Sequence, residues 1–330
     1  MSLNRRHFLA AATAPAILSS SPLRAQTKPK VSYAYLLDPA YDAVGWAIKN
    51  GKVKSSIIDV EATGMLIPQL LQVTSTKQYD VVMTAVIGVP AAAARGLDLR
   101  ILSAALHASP VGEGGGVWVK KGSPHTTVSA LKGRTMASYG LRSTGYMFVR
   151  EAMRLKFGLN MALEGGDVRQ VEVQAPNLPA ALATGQADAA TLIHSQAWRA
   201  MQSGEFHNIC ETNVILNERY GPLVSAVNVS YPDRLAQRAE HISEFNRMLK
   251  ASVSYALTNR DEVFGAVAKQ ANIDRGFLDW WFDKTTRVPA VFGDEHAKAV
   301  QTAWTIGRDM GMVASVPDVR AYTWDKTLRS

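Results

Sequence analysis

Cysteine is nearly missing from this sequence of 330 residues: Cys210 stands alone. A single cysteine excludes an intramolecular disulfide framework, a four-cysteine zinc site and a C-x-x-C redox motif together, and it reads as a small buried thiol. Blocks of like charge are missing as well. Only 19% of residues are charged, and the 36 Lys and Arg behind the formal charge of +8 are scattered, without the basic runs or interleaved aromatics of a nucleic-acid surface. No apolar run approaches the roughly 20 residues of a membrane-spanning helix. H-x-H, H-E-x-x-H, G-x-S-x-G and G-x-x-x-x-G-K-[ST] patterns are all absent, so the sequence offers no motif for a metal site, a nucleophile elbow or a phosphate loop. No cofactor is expected.

Hydrophobic residues, at 47% of the chain, are ample for real cores, and the length suggests two domains. The first 25 residues read as an export signal. Asn4-Arg5-Arg6-His7-Phe8-Leu9 is a paired-arginine start, and the apolar stretch Phe8–Leu18 that follows is too short to cross a bilayer. Ala25 offers a small residue for cleavage. Paired arginines before a weakly apolar, alanine-rich stretch resemble a twin-arginine signal, with a Sec signal as the alternative. Either route implies a periplasmic protein. No cysteine follows the apolar run to carry a lipid anchor, and loss of Arg5, Arg6 and Arg24 makes part of the basic balance a matter of targeting.

Past the signal, short β-rich runs alternate with helical ones. Strands are expected over Val31–Leu37, Ser56–Ala62, Asp80–Ala85 and Leu99–Leu106, with helices Tyr41–Asn50, Ile67–Thr74 and Pro90–Arg95 between them. That alternation describes a parallel sheet flanked by helices. The pattern breaks at Pro110-Val111-Gly112-Glu113-Gly114-Gly115-Gly116, a crossover or hinge candidate. It is no dinucleotide fingerprint, since Val117 stands where G-x-G-x-x-G needs its third glycine. A second series follows: strands Gly116–Lys120, Arg134–Ser138, Val168–Val173 and Ala187–Ile193, helices Thr126–Leu131, Thr144–Phe157, Leu178–Thr184 and Gln196–Gln202. After a β-like run, Val224–Val229, helical spacing of apolar residues marks Leu235–Leu257, Glu262–Gln270, Phe277–Phe282 and His296–Met310. Trp280, Trp281 and Trp304 lie there as aromatics suited to docking helices on a core.

Two blocks carry a family likeness. Val128-Ser129-Ala130-Leu131-Lys132-Gly133-Arg134-Thr135-Met136-Ala137, then Ser143-Thr144-Gly145-Tyr146, resembles the "DLKGKRIAV…ST-x-x-Y" stretch of solute-binding proteins for nitrate, taurine and alkanesulfonate ABC importers. Pro176 and the run Ala180–Ala190 resemble that family's "P…AAL-x-x-G-x-x-DA" element. The resemblance implies an α/β fold of the two-lobed type II periplasmic binding class, each lobe a mostly parallel sheet flanked by helices. Lobe 1 is then discontinuous, residues 26–112 and 222–330, lobe 2 spans 113–221, and the C-terminal helices pack back on lobe 1. It also implies a monomer that passes a small-molecule ligand to a permease of the inner membrane, with no nucleic acid involved.

In such sheets ligands sit beyond the carboxyl ends of the strands. The most informative loop is Tyr139-Gly140-Leu141-Arg142-Ser143-Thr144-Gly145-Tyr146. Ser143 or Thr144 caps a helix, whose free N–H groups, the hydroxyls and the Arg142 guanidinium make an anion receptor; alternatively Ser143 only caps and Arg142 faces solvent. On lobe 1 the candidates are Leu37, Asp38, Tyr41, Thr63, Gly64, Thr84 and Ala85. Asp38 either meets a ligand ammonium or ring N–H, or forms the turn before Pro39. Tyr41 would cover an apolar part of the ligand, Gly64 would let backbone approach it, and Thr84 would offer a hydroxyl or a helix cap. On lobe 2, Ile193-His194-Ser195 departs from the aromatic and proline usual after this strand and makes His194 a polar contact. The leading expectation is a binding protein, not an enzyme, for a sulfonate, nitrate or similar small anion. Two alternatives stay open: a neutral or heteroaromatic ligand such as a thiamine-precursor pyrimidine, with Tyr41, Tyr139 and Tyr146 as stacking faces, or an enzyme on the same fold using His194 and Asp38 as acid and base.

Overall fold

A computed structural model describes residues 28–330; the export signal expected over 1–25 and its cleavage after Ala25 lie outside the described residues. The chain opens with β1 (Lys30–Leu36), α1 (Pro39–Lys49), β2 (Asp59–Met65), α2 (Ile67–Thr76), β3 (Val81–Ala85), α3 (Gly88–Ala93) and β4 (Arg100–Ala108). It then crosses to β5 (Gly116–Lys120), β6 (Thr135–Ser138), α4 (Thr144–Phe157), β7 (Arg169–Glu172), α5 (Leu178–Ala183), β8 (Ala189–Leu192), α6 (His194–Ser203) and β9 (Phe206–Glu211). It returns through α7 (Thr212–Tyr220) to β10 (Val224–Ser230), α8 (Pro232–Thr258), α9 (Arg260–Ala271), α10 (Gly276–Trp280), β11 (Thr286–Arg287) and α11 (Asp294–Asp309).

Local chemistry sets the element ends. The Asp38 carboxylate accepts from Ala40 N–H at the start of α1, where Pro39 brings a preset φ. Ser143 caps α4, accepting from Tyr146 N–H, and Gly158 ends that helix in the left-handed conformation. The helix expected over Thr126–Leu131 is a single 3-10 turn, Val128–Leu131. Beyond α10 the backbone widens into a π turn, Trp281–Thr285, so the helix expected over Phe277–Phe282 changes type before it ends.

The strands form two sheets, one in the order β11-β4-β10-β3-β1-β2 and one in the order β7-β6-β8-β5-β9. β1 pairs in parallel with β2 and β3, and β6 with β7 and β8. β10 runs antiparallel to β3 and β4, and β5 to β8 and β9. These two reversed strands are the ones entered from the other sheet. A chain that crosses at the carboxyl ends of one parallel set starts its next strand at the same gap, so that strand runs against its neighbours.

The C-terminal helices bury their apolar faces on the first sheet. Phe245, Leu249 and Phe264 join Val31, Tyr33 and Met83 in one cluster, while Val300, Ala303 and Trp304 join Val82, Ile101 and Val227 in another. Trp281 and Trp304 are fully buried, and Trp304 Nε1 donates to the Val86 carbonyl at 2.9 Å. Burying such a ring contributes about 1.5–3 kcal/mol or more from apolar area alone. Trp280 differs: it is half-buried and tilted against Trp198 of α6, with ring centroids 5.5 Å apart.

Candidate functional site

The two sheets turn the carboxyl ends of their parallel strands toward one gap. There Leu36 ends β1, Thr84 and Ala85 end β3, Tyr139 follows β6 and Ile193 follows β8, and all five line a cavity of about 160 Å³. The cavity opens at Leu36, Ile67, Tyr139, Ile193 and His194 into a wider groove of about 960 Å³. Its walls are largely apolar, with Leu70, Met83, Leu106 and Phe148 among them. Its polar groups are Ser, Thr, Asn, Tyr and one imidazole; among the described residues no Lys, Arg, Asp or Glu lines it.

Of the residues singled out in the sequence, Thr84, Ala85, Tyr139, Ser143, Thr144 and His194 line this cavity. Leu37 and Asp38 line the outer groove. Tyr41 does not reach the gap: it is buried in the lobe 1 core and its hydroxyl donates to the Ala105 carbonyl at 2.6 Å. Thr63 and Gly64 lie on β2, the edge strand of the first sheet, outside the cavity and groove linings. Arg142 is exposed and lines neither space. The turn there is closed by Ser143 N–H donating to the Gly140 carbonyl at 3.0 Å, which leaves Leu141 and Arg142 at its tip. The guanidinium expected in the anion receptor is therefore turned to water.

Ser143 Oγ donates to the Gly140 carbonyl at 2.8 Å while accepting from Tyr146 N–H, so it holds the first turn of α4 against the cavity. Thr144 Oγ1 accepts from Ile87 N–H at 3.2 Å across the gap. That hydroxyl joins the lobes. Gly145 keeps the same helix start bare, and Tyr139 packs over it; burial pushes the Tyr139 hydroxyl up to about 12, so the ring is a neutral donor at any physiological pH. His194 Nδ1 lies 3.4 Å from Asp38 Oδ2, a second contact between the lobes. His194 also has a left-handed φ of 50°, a conformation that costs a non-glycine residue about 1–3 kcal/mol and often marks a functional position. Its ring sits 5.7 Å from that of Trp281.

The structure adds residues that the sequence reading missed. Gly114, Gly115, Gly116, Thr212, Asn213 and Thr285 form the end of the cavity nearest the two crossovers. The glycine run was legible as a hinge, and its glycines prove to be required by space: a Cβ on Gly116 would come 2.2 Å from the Cys210 carbonyl. Nothing in the local sequence marks Thr212 or Thr285.

A second cluster lies elsewhere. His107 of β4 meets Glu295 and His296 of α11, with donor atoms within 4.8 Å of one another. His296 Nδ1 accepts from Gly293 N–H at 3.1 Å. That bond puts the proton of the neutral ring on Nε2, so the ring turns an N–H rather than a lone pair toward the cluster, contrary to what a metal needs. Burial holds both imidazoles below the usual histidine range, with further lowering of His296 by His107.

Two sheets of mostly parallel strands, one reversed strand entering each, and a cleft between them define a two-lobed type II periplasmic binding fold. The sequence profile of the family described as NMT1/THI5 like matches residues 68–263, more than half of the chain, and the chain belongs to that family. No curated protein matches the sequence. Among solved structures it is similar to the periplasmic aliphatic sulphonate binding protein SsuA from Escherichia coli, at 16% identity over 90% of this chain and 97% of that one, with a TM-score of 0.66. It is similar also to the alkanesulfonate-binding protein SsuA from Xanthomonas axonopodis pv. citri bound to MOPS, at 16% identity, 90% and 98% coverage and a TM-score of 0.70. The desulfurization enzyme DSZB shares the fold at 14% identity, 90% and 96% coverage and a TM-score of 0.63.

Proposed function

We propose that this chain is the periplasmic solute-binding component of an ABC importer, a monomer whose lobes, residues 26–112 with 222–330 and residues 113–221, close on a small organic anion and present the closed form to an inner-membrane permease. The observation that carries this reading is the start of α4, a helix of 14 residues, set with Ser143, Thr144 and Gly145 in the wall of a cavity whose walls are largely apolar and carry no charged side chain among the described residues. Free N–H groups and the helix dipole favour a compact monoanion there, and the apolar walls suit a short organic body. A sulfonate fits both, and the two sulfonate-binding structures of the same fold support that choice. Closure shifts an open–closed equilibrium because the ligand touches both lobes only when they meet. The paired arginines at the N-terminus support the periplasmic assignment.

A neutral or heteroaromatic ligand, such as a thiamine-precursor pyrimidine, is the second reading, favoured by the absence of Lys and Arg from the cavity lining among the described residues. Catalysis ranks third: DSZB carries an enzyme on this fold, and His194 beside Asp38 is the pair that would serve as acid and base. A thermal-shift screen of residues 26–330 against alkanesulfonates, nitrate, small carboxylates and pyrimidines separates the readings, since a ligand that binds only the folded state raises the melting temperature. A rise with sulfonates alone supports the anion reading; a rise with pyrimidines alone replaces it with the neutral one. Conversion of a bound ligand, seen by mass spectrometry, overturns the assignment as a binding protein.

A further inference from the structure

An anion buried in this cleft needs a compensating positive charge, and the lining holds few groups that can supply one. Among the described residues neither Lys nor Arg lines the inner cavity, and His194 is the one histidine in the lining of cavity or groove. The free N–H groups at the start of α4 amount to about half an elementary charge. That covers part of a monoanion's charge. His194 stands where the rest would count, since it opens α6 and lines both spaces at the mouth that joins them. A compact space of about 160 Å³ measures about 7 Å across, inside the screening length of roughly 8–10 Å, so an anion held anywhere in it acts on the ring.

Across the gap, Asp38 Oδ2 faces Nδ1 of His194 at 3.4 Å, while Asp38 Oδ1 is fixed by Ala40 N–H at 2.9 Å. Both side chains are shielded, at 11% and 14% exposed, and Nδ1 is enclosed. The carboxylate favours the ring proton on Nδ1, which leaves Nε2 as the nitrogen that takes a second one. Trp281, 5.7 Å from the ring, brings no charge, and Tyr139, whose hydroxyl burial pushes up to about 12, stays neutral. Glu172, Arg199 and Glu205 of the groove are exposed, where water and salt weaken them. Accepting the anion reading proposed above, we propose that His194 is the residue that selects an anion in this cleft: its imidazole takes up a proton from solvent as the lobes close, and the cation then stands between the Asp38 carboxylate and the ligand's anionic head. Asp38 and His194 belong to different lobes and are opposed only in the closed form, so closure and protonation are linked. A neutral ligand of the same shape gains nothing from the proton. Preference for an anion therefore rises as the pH falls.

The probes are ethanesulfonate and its uncharged isostere ethanesulfonamide, titrated calorimetrically into the wild type, His194→Asn and Asp38→Asn from pH 6 to pH 8.5. A further titration at pH 7.5 in phosphate and in Tris, whose heats of ionisation differ, counts the protons taken up. Asparagine tolerates the left-handed backbone at 194 and keeps the helix cap at 38. The wild type should bind ethanesulfonate about tenfold more tightly at pH 6 than at pH 8.5, with net proton uptake at pH 7.5, whereas any affinity for ethanesulfonamide stays level. His194→Asn should lose both the slope and the uptake, and Asp38→Asn should move the rise to lower pH. A wild-type affinity for ethanesulfonate that stays within twofold across the range overturns the proposal, and so does uptake that persists in His194→Asn. If ethanesulfonate does not bind at all, the anion reading fails on its own, and small-angle scattering without ligand decides whether closure takes up the proton. A wild type more compact at pH 6 than at pH 8.5, with His194→Asn the same at both, supports the linkage; a wild type unchanged between them overturns it.

Discussion

Gly145 is the second residue of α4, and a Cβ built on it would come 2.1 Å from the Tyr139 hydroxyl oxygen but 3.4 Å from the ring carbon that bears it. Gly145→Ala therefore forces the Tyr139 ring back by more than 1 Å in a site where the ring is 8% exposed and packed with Trp118, Ala137 and Leu178. Overpacking of this kind costs about 1–3 kcal/mol, against a gain of at most about 1 kcal/mol for replacing glycine in a helix. In a Tyr139→Phe background the offending oxygen is gone and the new methyl meets the ring at an ordinary contact distance, so only the helix gain remains. The two substitutions should thus couple by about 1–3 kcal/mol, with Gly145→Ala destabilising alone and neutral or stabilising when combined with Tyr139→Phe. Urea unfolding of the wild type, both single variants and the double variant measures this directly. Stabilities that add to within about 0.5 kcal/mol would refute the packing of Tyr139 over the start of α4, and with it the geometry assigned to this wall of the cavity.

Gly114→Ala meets two obstacles, a left-handed φ of 86° and the Trp280 ring, and should destabilise by about 2 kcal/mol or more; in a Trp280→Ala background the loss should shrink without vanishing, because the φ penalty stays. The buried imidazoles of His107 and His296, both held below the usual histidine range, are neutral when folded, while the unfolded chain takes up their protons below about pH 6.5. Their contribution is therefore present at pH 7 and lost as the pH falls through the folded values, so melting temperature should drop between pH 7 and pH 5, and drop less in His107→Gln. Cys210, whose thiol burial pushes up to about 12, should resist alkylation at pH 8 in the native protein and react once unfolded; fast native modification would contradict its placement. Arg142→Ala should leave both stability and affinity for any cleft ligand within about twofold, in line with a solvent-facing turn tip; a large loss of affinity would restore the guanidinium to the site.

The sequence carried the scaffold well wherever local chemistry is decisive. The span of α4 follows from a serine cap at 143 and a glycine at 158, and the reversed strand β5 follows directly on the glycine-rich run, while β10 covers the β-like run at Val224–Val229. β9 and α7 escaped. Phe206–Glu211 lacks a clean apolar alternation, and Thr212–Tyr220 mixes β-branched and polar residues without a marked apolar face, so neither period stands out. The site was legible only as far as strand ends are. Thr84, Tyr139, Ser143 and His194 were reached from the rule that ligands lie beyond those ends, but whether a side chain in such a loop faces the gap depends on tertiary packing. Tyr41 is claimed by the core through the Ala105 carbonyl, Arg142 is carried outward by its turn, and Thr285 enters from a segment 91 residues beyond His194 along the chain.

The central claim, that the gap between the sheets is the ligand site, is tested most directly by filling it. Ala85 is half-buried in the cavity wall at the end of β3, and Ala85→Phe would place a ring in a space of about 160 Å³. Calorimetric titration of wild type and Ala85→Phe, each as residues 26–330, with the ligand that raises the wild-type melting temperature should show one saturable site in the first and none in the second, provided both melt cooperatively. Binding of undiminished affinity to the filled variant would place the ligand elsewhere and contradict the account.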